Sequence, residues 1–215
     1  MSINKRSFIT GLLYMALAVI GPIGFLLLPS MITPEAFNYS SVDTWMIALW
    51  FFVEVLMIGT EIFLTVYLWK LMNEHHKTLS LIAFIFRIIM VVVMVVNSIF
   101  LLSVVFSDST NAHVFLPMHV TWVYIWQLSF SVHVAIIGYM VLKYLKTWWR
   151  YLGVALMLGA LGYCIDSLNH LILWDIDFLT TAATILLYAV TIGEIGMAVA
   201  LLMKKVVSDK LQIRT

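Results

Sequence analysis

Charge is scarce in this chain: Asp, Glu, Lys and Arg make up 11% of its 215 residues, against 63% hydrophobic residues. So little polar surface cannot cover a soluble globule of this length, and a mean hydropathy of +1.05 assigns the chain to the bilayer. The net charge of +1 is small and the basic residues are dispersed, which excludes a nucleic-acid partner, since that needs a basic patch interleaved with aromatics. Cysteine is nearly absent: Cys164 stands alone in an apolar run, can form no intrachain disulfide and reads as a small packing residue. Also missing are a phosphate-cradling glycine loop, a nucleotide fingerprint and any redox-cofactor motif. Neither H-E-x-x-H nor C-x-x-C occurs.

The positive charge that is present has a pattern. Lys5/Arg6, Lys70/Lys77, Lys143/Lys146/Arg150 and Lys204/Lys205/Lys210/Arg214 lie in alternate connections, while the others carry only acids, Glu35, Asp43, Asp108, Asp175 and Asp177. Short loops that keep Lys and Arg are cytoplasmic, and these segments suit anionic lipid headgroups. Six apolar runs, 8–28, 45–71, 79–106, 118–142, 151–173 and 179–203, each reach the roughly 20 residues that span a hydrocarbon core about 30 Å thick. The expectation is an all-α, polytopic membrane bundle of six transmembrane helices, one domain over residues 1–215, with both termini cytoplasmic (N-in/C-in).

The first run follows Lys5 and Arg6 as a signal peptide would, but it has no small-x-small cleavage site before Pro29 and is expected to remain as a helix. Gly21, Pro22 and Gly24 predict a kink within it. Pro29, Pro34, Asn38 and Ser40 break the longest connection. Tyr39, Trp45, Trp69, Trp148, Trp149, Tyr151 and Trp174 are expected at the headgroups, with Lys143 to Arg150 as an interfacial turn and His75/His76 solvated in a loop.

Ionisable side chains at bilayer depth are costly and normally face the bundle interior, where they find partners and mark sites or pathways. Glu54, Glu61, Arg87, Asp166 and Glu194 fall inside the runs. Counting about 1.5 Å of rise per residue from the acid-bearing helix ends puts Glu54, Asn97, Gln127 and Asp166 roughly 11 to 14 Å down, and Glu61, Arg87, His133 and Glu194 roughly 22 to 28 Å down. In the deeper layer one Arg faces two carboxylates and an imidazole. One acid can pair with Arg87, and the other then needs a proton, a metal ion or a cationic ligand. A buried salt bridge that only fixes helix register is the plainer alternative.

Helical spacing groups these residues into stripes: Glu54 with Glu61, Asp166 with Asn169 and His170, and His119 with Trp126 and His133. An outward-opening polar cavity between the second, fourth and fifth helices, with His119, Asn169 and His170 at its outer entrance, would use all of them. No cofactor is implied by a motif. A transition metal held by His119, His133, His170 and Asp166 is possible by ligand type, though their spacing is not diagnostic. Haem between His133 and His170 is disfavoured by their depths, and Ser129, Ser131, Ser167 and Cys164 suit helix contacts better than nucleophilic roles. Met57-Ile-Gly-Thr-Glu61-Ile62 and Thr191-Ile-Gly-Glu194-Ile195 share a loose likeness.

From the fourth run onward the text is specific: His133-Val-Ala-Ile-Ile-Gly-Tyr139, Tyr151-Leu-Gly-Val-Ala-Leu-Met-Leu-Gly-Ala-Leu-Gly-Tyr163-Cys-Ile-Asp166-Ser167, and Gly193-Glu194. Together with Gly11-Leu-Leu-Tyr14, an acid in the second run and Phe86-Arg87, this resembles the bacterial six-helix membrane family of domain of unknown function 4386. The chain departs from that pattern at Thr147-Trp148-Trp149-Arg150 and at Cys164, neither of which touches the charged set. The resemblance implies a multi-pass protein of the bacterial plasma membrane and the relevance of Arg87, His133, Asp166 and Glu194. It implies no activity.

The function expected is binding or transport of a small solute, ion or proton at a buried ionisable site of Glu54, Glu61, Arg87, Asn97, Gln127, His133, Asp166 and Glu194. A membrane-embedded metal-dependent hydrolase acting on lipid-like substrates is one alternative. A structural or protective subunit without catalysis is another. The lipid bilayer is the one partner implied, with a small solute, an ion or a lipid-like molecule as ligand.

Overall fold

Backbone N–H and C=O groups find no water in the hydrocarbon core, so an apolar run spans it as a helix that bonds to itself. The computed structural model describes residues 3–32, 44–107, 109–144, 149–172 and 176–203, and every regular element among them is helical. These elements are α1 (Ile3–Pro22), a π-helical turn (Ile23–Leu27), α2 (Leu28–Met31), α3 (Thr44–Met72), α4 (Lys77–Phe106), α5 (Ser109–Tyr144), α6 (Trp149–Leu171) and α7 (Asp177–Leu202). Six spans are long and apolar enough to cross a membrane, the first being α1 continued through the π turn into α2. The all-α, six-span expectation holds.

The kink expected near Pro22 takes the form of that π turn. Pro22 removes an N–H from the helical ladder, and the backbone widens for one turn instead of breaking. Between α3 and α4 the chain turns through Asn73, Glu74 and His75, and His76, with φ −157° and ψ 102°, caps α4 by accepting the Leu79 N–H on Nδ1 at 3.2 Å. His75 and His76 are thus half-buried. The capping role belongs to His76 alone, and both residues stand in the loop between α3 and α4.

Each span packs on its neighbours in sequence, and α1 closes the circle by packing on α7 as well as on α3. Side-chain bonds pin one end of this ring. Arg6 Nη1 meets Glu74 Oε1 at 2.8 Å, and the Ser7 hydroxyl donates to the Leu201 carbonyl at 3.0 Å, so the start of α1 lies beside the α3–α4 turn and the end of α7. The His76 and Tyr144 rings, 6.1 Å apart, bring the end of α5 to the same place. Lys5, Arg6, Lys70, Lys77, Lys143 and Arg150 belong to this basic end. Lys146, Lys204, Lys205, Lys210 and Arg214 lie outside the described residues, as do Glu35, Asp43, Asp108 and Asp175 and the loop residues Pro34, Asn38, Tyr39, Ser40, Trp148 and Trp174.

The main core, with Leu64, Leu68, Met140, Val141 and Leu201 at or below 1% exposure, fills the ring from its middle to the basic end. A smaller core of Leu28, Ile47, Trp50, Val53, Leu101, Val104 and Leu116 fills the opposite end. Glycine sets the closeness of two contacts. A Cβ on Gly159 would fall on Val190, and one on Gly138 would meet the Gly153 carbonyl, so α6 lies against α5 and α7 nearly backbone to backbone.

Two boundary expectations change. α5 begins at Ser109, well before the predicted 118, and runs through Pro117, because a helix does not stop where the polar residues Ser109, Thr110, Asn111 and His113 end its apolar pattern. Trp149 is only 5% exposed and joins the main core, so it is a packing residue; Trp45 and Tyr151 are exposed as expected of interfacial rings.

Candidate functional site

Arg87 is 1% exposed and stands at the centre of the bundle. Its Nε and Nη2 groups donate to one oxygen of Glu61, Oε2, at 2.9 and 2.6 Å. Its Nη1 lies 2.8 Å from His133 Nε2, while His133 Nδ1 lies 2.8 Å from the Ala83 carbonyl. Arginine only donates and a carbonyl only accepts, so His133 accepts on Nε2, donates from Nδ1 and carries no charge. The guanidinium also sits over the rings of Phe130, at 5.5 Å, and Tyr14, at 5.9 Å. Helical spacing explains the convergence. Met57 and Glu61 on α3, Arg87, Met90 and Met94 on α4, and Trp126, Phe130 and His133 on α5 each form a stripe along one helix face.

These stripes, apart from His133, form the inner wall of a cavity of about 250 Å³. The rest of its lining comes from Tyr163 on α6, from Tyr14 to Pro22 and the π turn on the first span, and from Thr191, Glu194 and Ile195 on α7. Glu194 faces this space and makes no hydrogen bond or ion pair among the described residues. Glu61 Oε1 likewise accepts no hydrogen bond among them. Two carboxylates therefore border the cavity against one guanidinium, with the imidazole neutral. The loosely similar segments around Glu61 and Glu194 deliver their acids to the same space.

A second polar cluster lies nearer the acid-bearing end. Glu54 Oε1 and His119 Nε2 are 2.6 Å apart, and the Trp50 ring meets the imidazole edge-on at 4.6 Å. Among the described residues, His119 Nδ1, Trp50 Nε1 and Asn97 Oδ1 are buried without a hydrogen-bond partner. Glu54, Asn97 and His119 do not line the cavity.

The cavity formed by the described residues is lined by all six spans and not by the second, fourth and fifth helices, α3, α5 and α6, alone. The entrance residues are committed elsewhere. Asn169 is fully buried, donates to the Ile176 carbonyl and the Thr180 hydroxyl, and accepts the Ile176 N–H at 2.9 Å, so it ties α6 to the start of α7. His170 stacks on Tyr124 at 3.9 Å with Nδ1 3.6 Å from Asp166 Oδ1, and Gln127 Oε1 accepts weakly from Ser167 at 3.4 Å. His119, His133 and His170 thus occupy three separate surroundings, and no group of three metal-ligating side chains forms among the described residues. Both nitrogens of His133 are already engaged, which removes it as a haem or metal ligand.

Composition and charge could not point to Tyr14, Phe25, Trp126, Phe130 and Tyr163 as cavity walls. The available signal was positional: Tyr14 and Tyr163 stand in the distinctive segments quoted above, and Trp126 lies one heptad from His133.

The model of a family described as Domain of unknown function (DUF4386) matches residues 9–204, nearly the whole chain, and the chain belongs to that family. Neither the curated proteins nor the solved structures give a match.

Proposed function

We propose that this DUF4386 member is a plasma-membrane protein, with both termini cytoplasmic, that binds a small cation in its central cavity and exchanges it for a proton on Glu194. The alternating Lys and Arg segments support the orientation. One observation carries the functional reading: Glu61 is held by Arg87, while Glu194 faces the same cavity without a hydrogen bond or ion pair among the described residues. A carboxylate among apolar walls is costly to leave bare, so it holds either a proton or a cation. Arg87 holds Glu61 in place with two hydrogen bonds, and His133 completes the arginine's hydrogen bonds without adding charge. Trp126, Phe130 and Tyr163 offer aromatic faces that suit a cation's apolar body.

The test is proton movement driven by an organic-cation gradient in vesicles containing the purified protein, read with an enclosed pH-sensitive dye. Wild type is expected to couple the two movements, and Glu194→Gln, which cannot give up a proton, to abolish coupling while the protein stays folded. Equal coupled movement in Glu194→Gln and wild type would reject the assignment.

A further inference from the structure

We propose that the ligand enters from the lipid phase, through a crevice between α1 and α7, and is an amphiphile with one ammonium head on an apolar tail. This rests on the cation-binding reading above and adds the route and the ligand class.

The crevice follows from how α1 and α7 diverge. At the basic end they touch: a Cβ on Gly11 would meet the Ala198 carbonyl oxygen at 2.9 Å and Leu202 Cγ at 2.9 Å, and Ser7 bonds the Leu201 carbonyl. Ten residues along α1, about 15 Å of rise, a Cβ on Gly21 would meet nothing within 4 Å, although Gly21 lines the cavity. The inner wall of Met57, Arg87, Met90, Met94, Trp126 and Phe130 is buried. Exposed lining residues stand on only two elements, Pro22 and Leu26 on the first span and Thr191 and Ile195 on α7. Both sets lie within membrane-spanning stretches, Lys5–Met31 and Asp177–Leu202, so the mouth faces acyl chains.

Among the described residues, core side chains fill both ends of the bundle. Leu64, Leu68, Met140, Val141 and Leu201 fill the basic end, and Ile47, Trp50, Leu101 and Leu116 the other. A ligand using the lateral mouth must already be dissolved in the bilayer, which requires an apolar portion. Its head must be cationic, because an anion would face Glu61 and Glu194 while Arg87 is engaged by Glu61 and His133. Size agrees: 250 Å³ corresponds to the share of about eight waters, room for a small ammonium head and a few methylenes but not a long chain. The rest of the tail would lie along Leu26 and Ile195 among the lipids.

The experiment uses the full chain in phosphatidylcholine vesicles and a long-chain alkyltrimethylammonium probe with a photoreactive diazirine beside its head. Crosslinks mapped by mass spectrometry are expected on peptides covering residues 17–26 and 191–195, resistant to excess water-soluble tetramethylammonium. Gly21→Trp places a side chain in open space at the mouth and should lower labelling by about tenfold. Thr191→Trp, on the opposite lip, repeats the plug independently, and a thermal melt matching wild type shows that each variant folds. Labelling that tetramethylammonium abolishes and neither plug reduces would overturn lipid entry and leave the cation site standing. Labelling no greater than that of an uncharged probe with the same tail, or weaker than that of an alkyl sulfate probe, would overturn both.

Discussion

Glu54 and Glu61 stand two turns apart on one face of α3, and both are buried, yet they meet different kinds of partner. Glu61 takes two hydrogen bonds from Arg87, whose charge is permanent. Glu54 meets the His119 imidazole, in a cluster that leaves His119 Nδ1, Trp50 Nε1 and Asn97 Oδ1 unpaired among the described residues. The first acid borders open space and the second does not. The carboxylate beside the cavity is thus matched to a permanent cation, whereas Glu54 is matched to an imidazole.

Substitutions can break that contrast, and the largest effect is expected at Arg87. Arg87→Met strands Glu61 and should destabilise the protein by about 3–5 kcal/mol, measured by thermal or denaturant unfolding in micelles. Adding Glu61→Leu should recover most of that loss, because an apolar pair of similar volume replaces a buried ion pair with little net cost. A double variant as unstable as Arg87→Met would show that Arg87 is needed for more than Glu61. His119→Met should cost less, about 1–3 kcal/mol in the same unfolding measurement, because Glu54 loses one hydrogen-bond partner and not a permanent counter-charge held by two bonds. A loss equal to that of Arg87→Met would erase the distinction between the two acids. The smallest effect is expected from Trp50→Phe, which removes an unpaired donor while keeping an aromatic ring against His119 and should change stability by less than about 1 kcal/mol. A larger loss would mean that the indole N–H has a bound partner, such as an ordered water.

The helices were largely legible because hydropathy and span length are local properties. All six runs appear within a few residues of their predicted limits, except where α5 extends through polar sequence. Inward-facing ionisable residues were legible for the same reason, since their cost in lipid forces them together, and Glu61, Arg87 and His133 do meet. What could not be read was which helices adjoin. Stripes on α3, α5 and α6 were assigned one shared cavity, whereas Asn169 turns to the start of α7 and His119 to Glu54. Closure of the ring by α1 against α7 depends on small residues such as Gly11, whose contact partner lies far along the chain. Hydropathy has no term for that contact, so the crevice and its aromatic lining came only from the structure.

That closure also has a temporal side. Among the described spans, the two that flank the mouth are the farthest apart in sequence, and one cavity carboxylate, Glu194, belongs to the later of them. While the chain is still being made, α1 can rest only on α3, and Arg87 and Glu61 remain open on the side that α7 will cover. A chain lacking α7 would hold the Arg87–Glu61 pair without Glu194, so the second cavity carboxylate arrives only with that helix.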